Sequence, residues 1–397
     1  MQYSWNALCH VTGAMNENAT QDLALPRARV LVTGAGTGRA NNLVRSLKSG
    51  GYSLEIAGCH NDPFMIAKSE TDWHFHAPPP SSGDGFARAC QPVIEANAID
   101  LVIPSSDEDA LALARIRHQL PCRVHLPAAD VIALCQDKYA LGQALQANGL
   151  AVPETVAIRC YEDVVGAFRL LDHGSLLWCR TRHGAGSRGA TKVRDAEQAW
   201  SWIRYWNEMR GVPIEQFTLS EYLPGRDFNV QGLWHNGATV LIKMCERLSY
   251  LDGDNRPSGT SSTPAVAKTL CDHQILDLCE QAVKLIAPDA CGVFNLDLKQ
   301  DAKGRARITE VNAGRFAMIT NLYDFTGRHN MAQAYVRLAL GHPARIGEVR
   351  DFAADQYLVR DYDTLPFVGS MQEIASADGF ASRIRRGTIA TPVKGLK

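Results

Sequence analysis

A predicted β-hairpin in the last third of the chain constrains the fold more than any other stretch. Residues 292–316 read GVFNLDLKQDAKGRARITEVNAGRF. Apolar and polar residues alternate over 293–299 and again over 306–311, as they do in half-buried strands. The residues between these two runs, Asp-Ala-Lys-Gly, are typical of a turn. The stretch therefore predicts two antiparallel strands joined by a short connection.

The alternation also predicts which side chains of the hairpin lie together. Side chains two residues apart share a face of a strand. The predicted first face consists of Ala306, Ile308, Glu310 and Asn312, and the opposite face of Arg305, Arg307 and Thr309. Asp297, on the facing strand, is expected to reach the Glu310 end of the first face.

Two carboxylates and an amide oxygen at one point suit Mg²⁺, a hard ion that takes oxygen ligands and shares them with phosphates. The predicted metal ligands are Asp297, Glu310 and Asn312. On the hairpin alone, a polar end that is simply solvated explains the pattern equally well.

Composition narrows the class of protein. The chain has 397 residues, 46% hydrophobic and 21% charged, which predicts a soluble globular protein of two or three domains. The net charge of −1 gives no global field toward nucleic acid or an anionic membrane, so we expect neither partner. The 11 cysteines are scattered without CxxC spacing, which favours reduced thiols in a cytoplasmic protein. No apolar run reaches the roughly 20 residues of a membrane span, and the N-terminus lacks the pattern of a secretory signal.

The first periodic stretch predicts a doubly wound unit. Residues 29–40 read RVLVTGAGTGRA, an apolar run that enters a glycine turn before a helix. Gly34, Gly36 and Gly38 could let a phosphate approach the helix, and Asp62 could hold a ribose, as in an NAD-dependent oxidoreductase. The alternative is a tight turn that binds nothing.

Later in this unit, residues 105–109 read SSDED after a buried strand. We interpret the serines as a helix cap and the acids as first-turn residues that suit the helix dipole. This structural explanation is preferred to a catalytic role for the acids.

The remaining candidates lie on loops and strands. Residues 183–189, HGAGSRG, form a glycine-rich loop between two predicted strands, which could fold over a triphosphate or simply be a hairpin tip. Lys243 lies in an apolar strand, where we expect it to face solvent unless an anion is buried beside it. Residues 248–264 are polar and long enough to form a functional loop.

Five motifs in order resemble the ATP-grasp superfamily, and most of all the ATP-grasp half of the carbamoyl-phosphate synthase large subunit. The resemblance covers about residues 29–345. It rests on the sequences PSSDEDALALA, DKYALGQALQANGLAVPET, RTRHGAGSRGATKV, SEYLPGRDFNV and FNLDLK…ITEVNAGRF. Where the family often has Lys-Pro-Arg, this chain has Arg180-Thr181-Arg182, and the usual Asn-Pro-Arg is Asn312-Ala313-Gly314-Arg315.

The resemblance implies an α/β fold with four parts. They are a loose extension at 1–27, a Rossmann-like preATP-grasp domain at 28–132, a two-lobed α+β ATP-grasp domain at 133–345, and a C-terminal extension at 346–397. The lobes would divide near residue 225.

The resemblance also implies roles for individual residues. ATP would be held by Lys138, Arg180, Gly184, Gly186, Ser187, Gly189, Glu221, Tyr222, Leu223 and Asp227. Of these, Glu221 to Leu223 would hold adenine, and Asp227 the ribose. Arg315 and Lys243 would act in catalysis. As a separate hypothesis, the substrate enters beside the polar loop 248–264, where Arg247, Ser261 and Ser262 would contact it. The resemblance further implies Mg²⁺, as two ions with Mn²⁺ as a possible substitute, and a homodimer.

The predicted activity is that of a carboxylate–amine ligase. A small carboxylic acid would attack the γ-phosphate of ATP, and an amine would displace phosphate from the acyl phosphate to give an amide. No side-chain nucleophile is needed, which agrees with the lack of a Ser-His-Asp or Cys-His pattern. The alternatives are the NAD-dependent oxidoreductase and a nucleotide-binding protein without turnover.

Overall fold

The computed structural model describes residues 27–171, 176–184, 186–261, 263–362, 367–370 and 372. These residues form three sheets with helices packed on them. The first sheet is parallel, with strand order β3-β2-β1-β4. Its strands are β1 (Ala28–Thr33), β2 (Leu54–His60), β3 (Trp73–His76) and β4 (Leu101–Ile103). The associated helices are α1 (Gly38–Ser49), α2 (Pro63–Ile66), α3 (Asp84–Ala96), α4 (Asp107–Ile116) and α5 (Ala129–Gln136). The predicted Rossmann-like character of the first domain is confirmed.

The second sheet is antiparallel and small, with order β5-β8-β6-β7. Its strands are β5 (Thr155–Ala157), β6 (Leu177–Thr181), β7 (Thr191–Val193) and β8 (Phe217–Glu221). The helices α6 (Lys138–Ala147), α7 (Tyr161–Leu171) and α8 (Ala196–Arg210) belong to the same part of the chain. Ile203 is fully buried, and Trp200 and Trp206 pack against the same core, so this aromatic stripe is structural.

The third sheet has seven strands in the order β13-β12-β9-β10-β11-β14-β15. They are β9 (Asp227–His235), β10 (Ala238–Tyr250), β11 (Pro264–Thr269), β12 (Gly292–Gln300), β13 (Ala306–Ala313), β14 (Gln356–Val359) and β15 (Phe367–Ser370). Helices α9 (His273–Ile286), α10 (Thr320–Thr326) and α11 (Met331–Ala339) accompany it. The predicted hairpin is confirmed as β12 and β13. The strands β14 and β15 belong to this sheet, so a boundary at residue 345 cuts through one sheet.

A β-bulge at Thr309 corrects the predicted faces of the hairpin. Leu298 pairs with Ile308, but Asp297 pairs with Glu310, so Thr309 is an extra residue on β13. An extra residue reverses the alternation beyond it. Ile308 therefore lies in the core while Glu310 turns to the opposite face, and the prediction that they share a face is wrong.

The two faces of the large sheet have different environments. One face is apolar and packs in the largest core cluster, which includes Phe228, Leu296 and Val311 and continues into the first domain. The opposite face carries polar residues on β9, β12 and β13 and looks toward the small sheet. Among the described residues, no helix combines the length and apolarity of a membrane span.

Candidate active site

A cleft lies between the small sheet and the polar face of the large sheet. Thirteen of the residues predicted from the sequence line it. They are Arg180, Gly186, Ser187, Glu221, Tyr222, Leu223, Asp227, Arg247, Ser261, Asp297, Glu310, Asn312 and Arg315. The structure thus brings together residues from both sheets and from the segment that follows the hairpin.

The two carboxylates of the hairpin, Asp297 and Glu310, lie side by side on the face that lines the cleft. Asp297 and Glu310 are directly paired residues of β12 and β13, so their side chains project from one face. Asp297 Oδ1 accepts hydrogen bonds from Asn229 Nδ2 at 2.8 Å and Arg247 Nη1 at 3.1 Å. Asn312 Oδ1 accepts one from Arg315 Nη2 at 2.9 Å.

This donor set fits Mg²⁺ through the two carboxylates. Among the described residues, the Glu310 carboxylate forms one ion pair, a long one with the Lys138 ammonium, whose Nζ lies 3.9 Å from Oε2. The Asn312 oxygen is already engaged by Arg315, so we assign it a smaller part in metal binding. The described residues hold no cluster of three or more His, Cys, Asp or Glu side chains suited to a metal. Two carboxylates suit Mg²⁺ when phosphate oxygens complete the coordination shell.

Arg180 offers an unused hydrogen-bond donor to the cleft. Its Nη2 donates to the carbonyl of Thr309 at 2.9 Å, the residue that the bulge displaces. Its Nε is buried and has no partner among the described residues. Burial lowers the pKa of Arg180, an effect that Glu310 and Asp297 oppose. A buried guanidinium with a free donor favours an anionic ligand, because an unsatisfied buried donor costs free energy.

Arg315 joins the first domain to the hairpin. Its Nε donates to Asp107 Oδ1 at 2.6 Å, and its side chain is 9% exposed. Burial disfavours the charge of Arg315, but Asp107, Glu310 and Asp297 together raise its pKa above the ordinary value. Another acid of the same first turn, Asp109, accepts a hydrogen bond from Thr33 Oγ1 at 2.7 Å, and Ser106 caps the helix by accepting from the Asp109 N–H. The predicted helix cap and the first-turn positions of the acids are observed, and Asp107 also makes the contact with Arg315.

Arg247 and Asp227 form an ion pair inside the cleft. Arg247 Nε donates to Asp227 Oδ1 at 2.7 Å, and the hydroxyl of Tyr250 donates to Asp227 Oδ2. Burial disfavours the charge of Arg247, yet Asp227 and Asp297 together raise its pKa well above the ordinary value. Both oxygens of Asp227 have protein partners, so a ribose would have to compete with them.

The glycine-rich loop lies over one end of the cleft. Positive φ angles, which glycine adopts without strain, occur at Gly184, Gly186 and Gly189. Ser187 also has a positive φ angle. The loop is tied to the polar segment after β10, since Arg256 Nη1 donates to the Gly186 carbonyl at 2.9 Å.

Lys138 stands beside this loop, donating from Nζ to the Gly184 carbonyl at 2.7 Å. Lys138, Gly184 and Gly189 do not line the cleft itself.

The connector after β8 forms an aromatic corner. Tyr222 stacks on Trp178 with ring centroids 6.3 Å apart. Leu223 is buried beside them, and Glu221 Oε2 accepts from the Glu154 N–H at 3.2 Å. Flat apolar surface next to open backbone suits a planar heterocycle.

Besides Lys138, Gly184 and Gly189, one more predicted residue within the described ranges, Lys243, does not line the cleft. Lys243 is fully buried, with Nζ 3.0 Å from Asp351 Oδ2 and donating to the carbonyls of Tyr323 and His329. The expectation that it faces solvent is wrong, because an anion is buried beside it. Ser262 lies outside the described residues. Ser261 lines the cleft, but its hydroxyl is used by the Leu251 and Thr263 carbonyls.

The glycine turn of the first domain has structural explanations. A Cβ on Gly36 would lie 1.7 Å from the Met65 carbonyl oxygen, so the turn is packed against the backbone of α2. Asp62 caps the same helix by accepting from the Phe64 N–H at 2.8 Å. These contacts account for Gly36 and Asp62 without a dinucleotide.

The polar residues of the cleft that the sequence interpretation missed include Asn229, Asn295 and Arg39. Asn229 and Asn295 lie on the same sheet face as Asp297, and polar residues at every second position of β9 and β12 were a usable signal. Arg39 lines the cleft from the first domain. Its signal was weaker: a basic residue in the first turn of a helix, where the dipole disfavours it.

Solved structures share this fold. Carboxyaminoimidazole ribonucleotide synthase from Aspergillus clavatus, complexed with ATP, superposes with a TM-score of 0.63 at 13% identity, covering 84% of this chain and 81% of that chain. The biotin carboxylase domain of the Hydrogenobacter thermophilus 2-oxoglutarate carboxylase, with MgADP and bicarbonate, gives 0.65 at 15% identity over 83% and 73%. The L-amino acid ligase from Bacillus licheniformis gives 0.59 at 14% identity over 84% and 79%.

No protein-family model matches the sequence, and no curated protein matches it either. At these identities the structural likeness shows the fold. The α/β fold predicted from the ATP-grasp resemblance is therefore confirmed.

Proposed function

We propose that this protein is an ATP-dependent ligase that activates a small carboxylic acid as an acyl phosphate and transfers the acyl group to an amine. The observation that carries the proposal is the juxtaposition of Asp297 and Glu310 with Arg180 in one cleft. Carboxylates that suit a metal and a guanidinium with a free donor are the groups that phosphoryl transfer requires. The ATP and MgADP complexes of the similar solved structures support the same nucleotide and ion here.

In this proposal the nucleotide lies along the cleft. The adenine would rest in the corner of Trp178 and Tyr222, and the phosphates would extend past Arg180 to the glycine-rich loop. Glu310 and Asp297 would hold Mg²⁺, which when bound neutralises phosphate charge. Arg247 contacts Asp297 Oδ1, so a metal ion bound to that oxygen would displace part of this contact.

The chain's cations would serve the chemistry by holding two anions together. The acid's carboxylate oxygen attacks the γ-phosphorus, and the bond from that phosphorus to the bridging oxygen of ADP breaks. The amine nitrogen then attacks the acyl carbon, the bond to phosphate breaks, and the nitrogen loses a proton. Arg180 and Arg315, both deep in the cleft, would offset the negative charge of the approaching groups.

The test traps the acyl phosphate with hydroxylamine. Purified protein is mixed with Mg·ATP, hydroxylamine and a panel of small carboxylic acids, and hydroxamate and ADP are measured. We expect both products with at least one acid. Glu310→Gln should lower the rate by about 100-fold, or about 2.7 kcal/mol of barrier, because it removes one metal-binding charge.

A matched control comes from an exposed carboxylate. Glu215→Gln removes a charge outside the cleft and should leave the rate unchanged. Wild-type activity in Glu310→Gln would contradict the proposal. Thermal unfolding adds a readout without turnover: Mg·ATP at 100 times its dissociation constant should stabilise the protein by about 2.7 kcal/mol.

Two ions, replacement by Mn²⁺ and a homodimer remain predictions of the resemblance, and a cytoplasmic location remains a prediction from the cysteine pattern. Activity in Mn²⁺, its dependence on metal concentration, and sedimentation of the purified protein would test the first three.

A further inference from the structure

A second cleft opens beside the first, on the parallel sheet of the first domain. It is lined by Thr33 and His60 at the ends of β1 and β2, and by Ser105 and Asp109, which follow β4. Arg39 and Met318 line both clefts, so the two spaces meet at these side chains. The proposed function uses only the first cleft and leaves the second without a role.

Arg39 is a cation without a protein partner. It forms no hydrogen bond or ion pair with any residue in the described ranges, although it is only half-exposed. Burial and the nearby Arg315 lower its pKa, while the charges of Asp107, Glu108 and Glu310 oppose this. Its guanidinium thus lies within electrostatic reach of the metal-binding carboxylate and is left free to bind an anion.

Asp109 is the complementary case in the second cleft. Its carboxylate accepts from Thr33 Oγ1, but it forms no ion pair with any basic residue that the structure describes. Burial raises the pKa of Asp109 despite the hydrogen bonds from Thr33 and Ser106. A cation brought by a ligand would stabilise the charged form of such a partly buried carboxylate.

Arg39 and Asp109 line one cleft but do not neutralise each other. A ligand that carries both charges would satisfy both groups, with its anion toward Arg39 and the first cleft. We infer that the acid activated by this protein is an amino acid, whose carboxylate is held by Arg39 and whose ammonium group is held by Asp109. This inference rests on the proposed function and names the substrate class of its site.

The position of Arg39 gives the ligand a direction. Because it lines both clefts, it would hold the carboxylate where the nucleotide's last phosphate is expected. The ammonium group would then lie in the second cleft, away from the phosphoryl group. This orientation keeps the ligand's own amine from the acyl carbon, so a separate amine must serve as acceptor.

The experiment compares each amino acid with the same acid lacking the amine. Alanine is paired with propionate and aspartate with succinate, in the hydroxylamine assay with saturating Mg·ATP. Hydroxylamine replaces the amine acceptor, so the assay reports recognition of the acid alone. The trapped acyl phosphate loses inorganic phosphate as the C–N bond of the hydroxamate forms. We expect kcat/KM to favour the amino acid by about tenfold or more in at least one pair.

Two variants assign the roles. Asp109→Asn keeps an acceptor for Thr33 and should reduce the preference for the amino acid about tenfold, with little change for the deamino acid. Arg39→Gln should raise KM for both acids of a pair. Asp84→Asn, an exposed first-turn acid of α3, is the matched control and should leave the preference unchanged. Mg·ATP should stabilise all three variants as it does the wild type.

The outcomes separate the two proposals. Hydroxamate formation with equal rates for amino and deamino acids would overturn the substrate class while the ligase activity stands. Loss of preference in Asp84→Asn to the same degree as in Asp109→Asn would also overturn it. Absence of hydroxamate and ADP with every acid would overturn the proposed function and, with it, this inference.

Discussion

Lys243 and Arg247 lie four residues apart on one face of β10, yet they have different surroundings. Lys243 pairs across the sheet with Gln231, and Arg247 with Asp227. Lys243 is closed over by α10 and the chain around His329 and is fully buried. Arg247 faces the cleft and contacts Asp227 and Asp297.

What a buried cation does thus depends on whether other parts of the chain cover its side chain, and not on its position in the strand. Asp351 is 2% exposed and also accepts the N–H groups of Arg328 and His329, so its pair with Lys243 has no room for a ligand. The ion pair of Arg247 opens to a cleft where a metal or a phosphate could exchange with it. We therefore assign Lys243 to stability and Arg247 to the site, which replaces the catalytic role predicted for Lys243.

Removing Lys243 should have the largest effect on stability. Lys243→Met leaves the Asp351 charge buried without its partner, which costs about 3–5 kcal/mol. Urea unfolding followed by circular dichroism measures the loss. The double variant Lys243→Met/Asp351→Asn should recover more than about 1 kcal/mol, since the charge is removed while the acceptor for the two N–H groups remains. A stable Lys243→Met protein that has lost hydroxamate formation would contradict the assignment of Lys243 to stability.

Removing Arg247 should act on activity instead. Arg247→Gln frees Asp297 and Asp227 at the edge of the cleft, where solvent can reach them, so we expect a smaller stability loss than in Lys243→Met. Hydroxamate formation should fall about tenfold or more, because the carboxylates lose the cation that positions them. Arg226→Gln, whose ion pair with Glu246 lies on the surface, is the control and should change neither quantity appreciably. A large stability loss without loss of activity would place Arg247 in the same class as Lys243.

The hairpin shows how far the sequence could predict the site. Alternation placed β12 and β13 correctly, and it brought Asp297, Glu310 and Asn312 to one cleft. It could not predict the bulge, because one extra residue such as Thr309 leaves the composition of the strand unchanged. The prediction of a shared face for Ile308 and Glu310 failed for that reason alone.

Long-range packing accounts for the other misses. Whether Lys243 or Arg247 would be covered depends on α10 and on Asp351, far along the chain. Arg39 reaches the cleft only because the first domain docks against the hairpin, through contacts such as Arg315 with Asp107. Local patterns carry no information on such contacts, so the paired partners of Asp227 were also beyond prediction.

His125 is a third basic residue away from solvent, and among the described residues it forms no ion pair with an acid. His125 and His235 lie at the contact between the first domain and the large sheet, with ring centroids 5.7 Å apart. Neither His125 Nε2 nor His235 Nδ1, both buried, has a hydrogen-bond partner among the described residues. Burial, together with His235 and Arg117, lowers the pKa of His125 to about 4.

The sign of the pH dependence follows from this lowered pKa. Between pH 6.5 and 4 the unfolded chain binds a proton at His125 that the folded chain does not, so stability falls as the pH falls through this window. The full shift corresponds to at most about 3 kcal/mol, reached near pH 4. Urea unfolding at intervals from pH 7 to 4.5 should show a weaker dependence in His125→Gln than in the wild type. Equal pH dependence of the unfolding free energy in the two proteins would mean that His125 is solvated in the folded protein. The effect of covering a basic side chain would then apply only to cations that have a buried acid beside them.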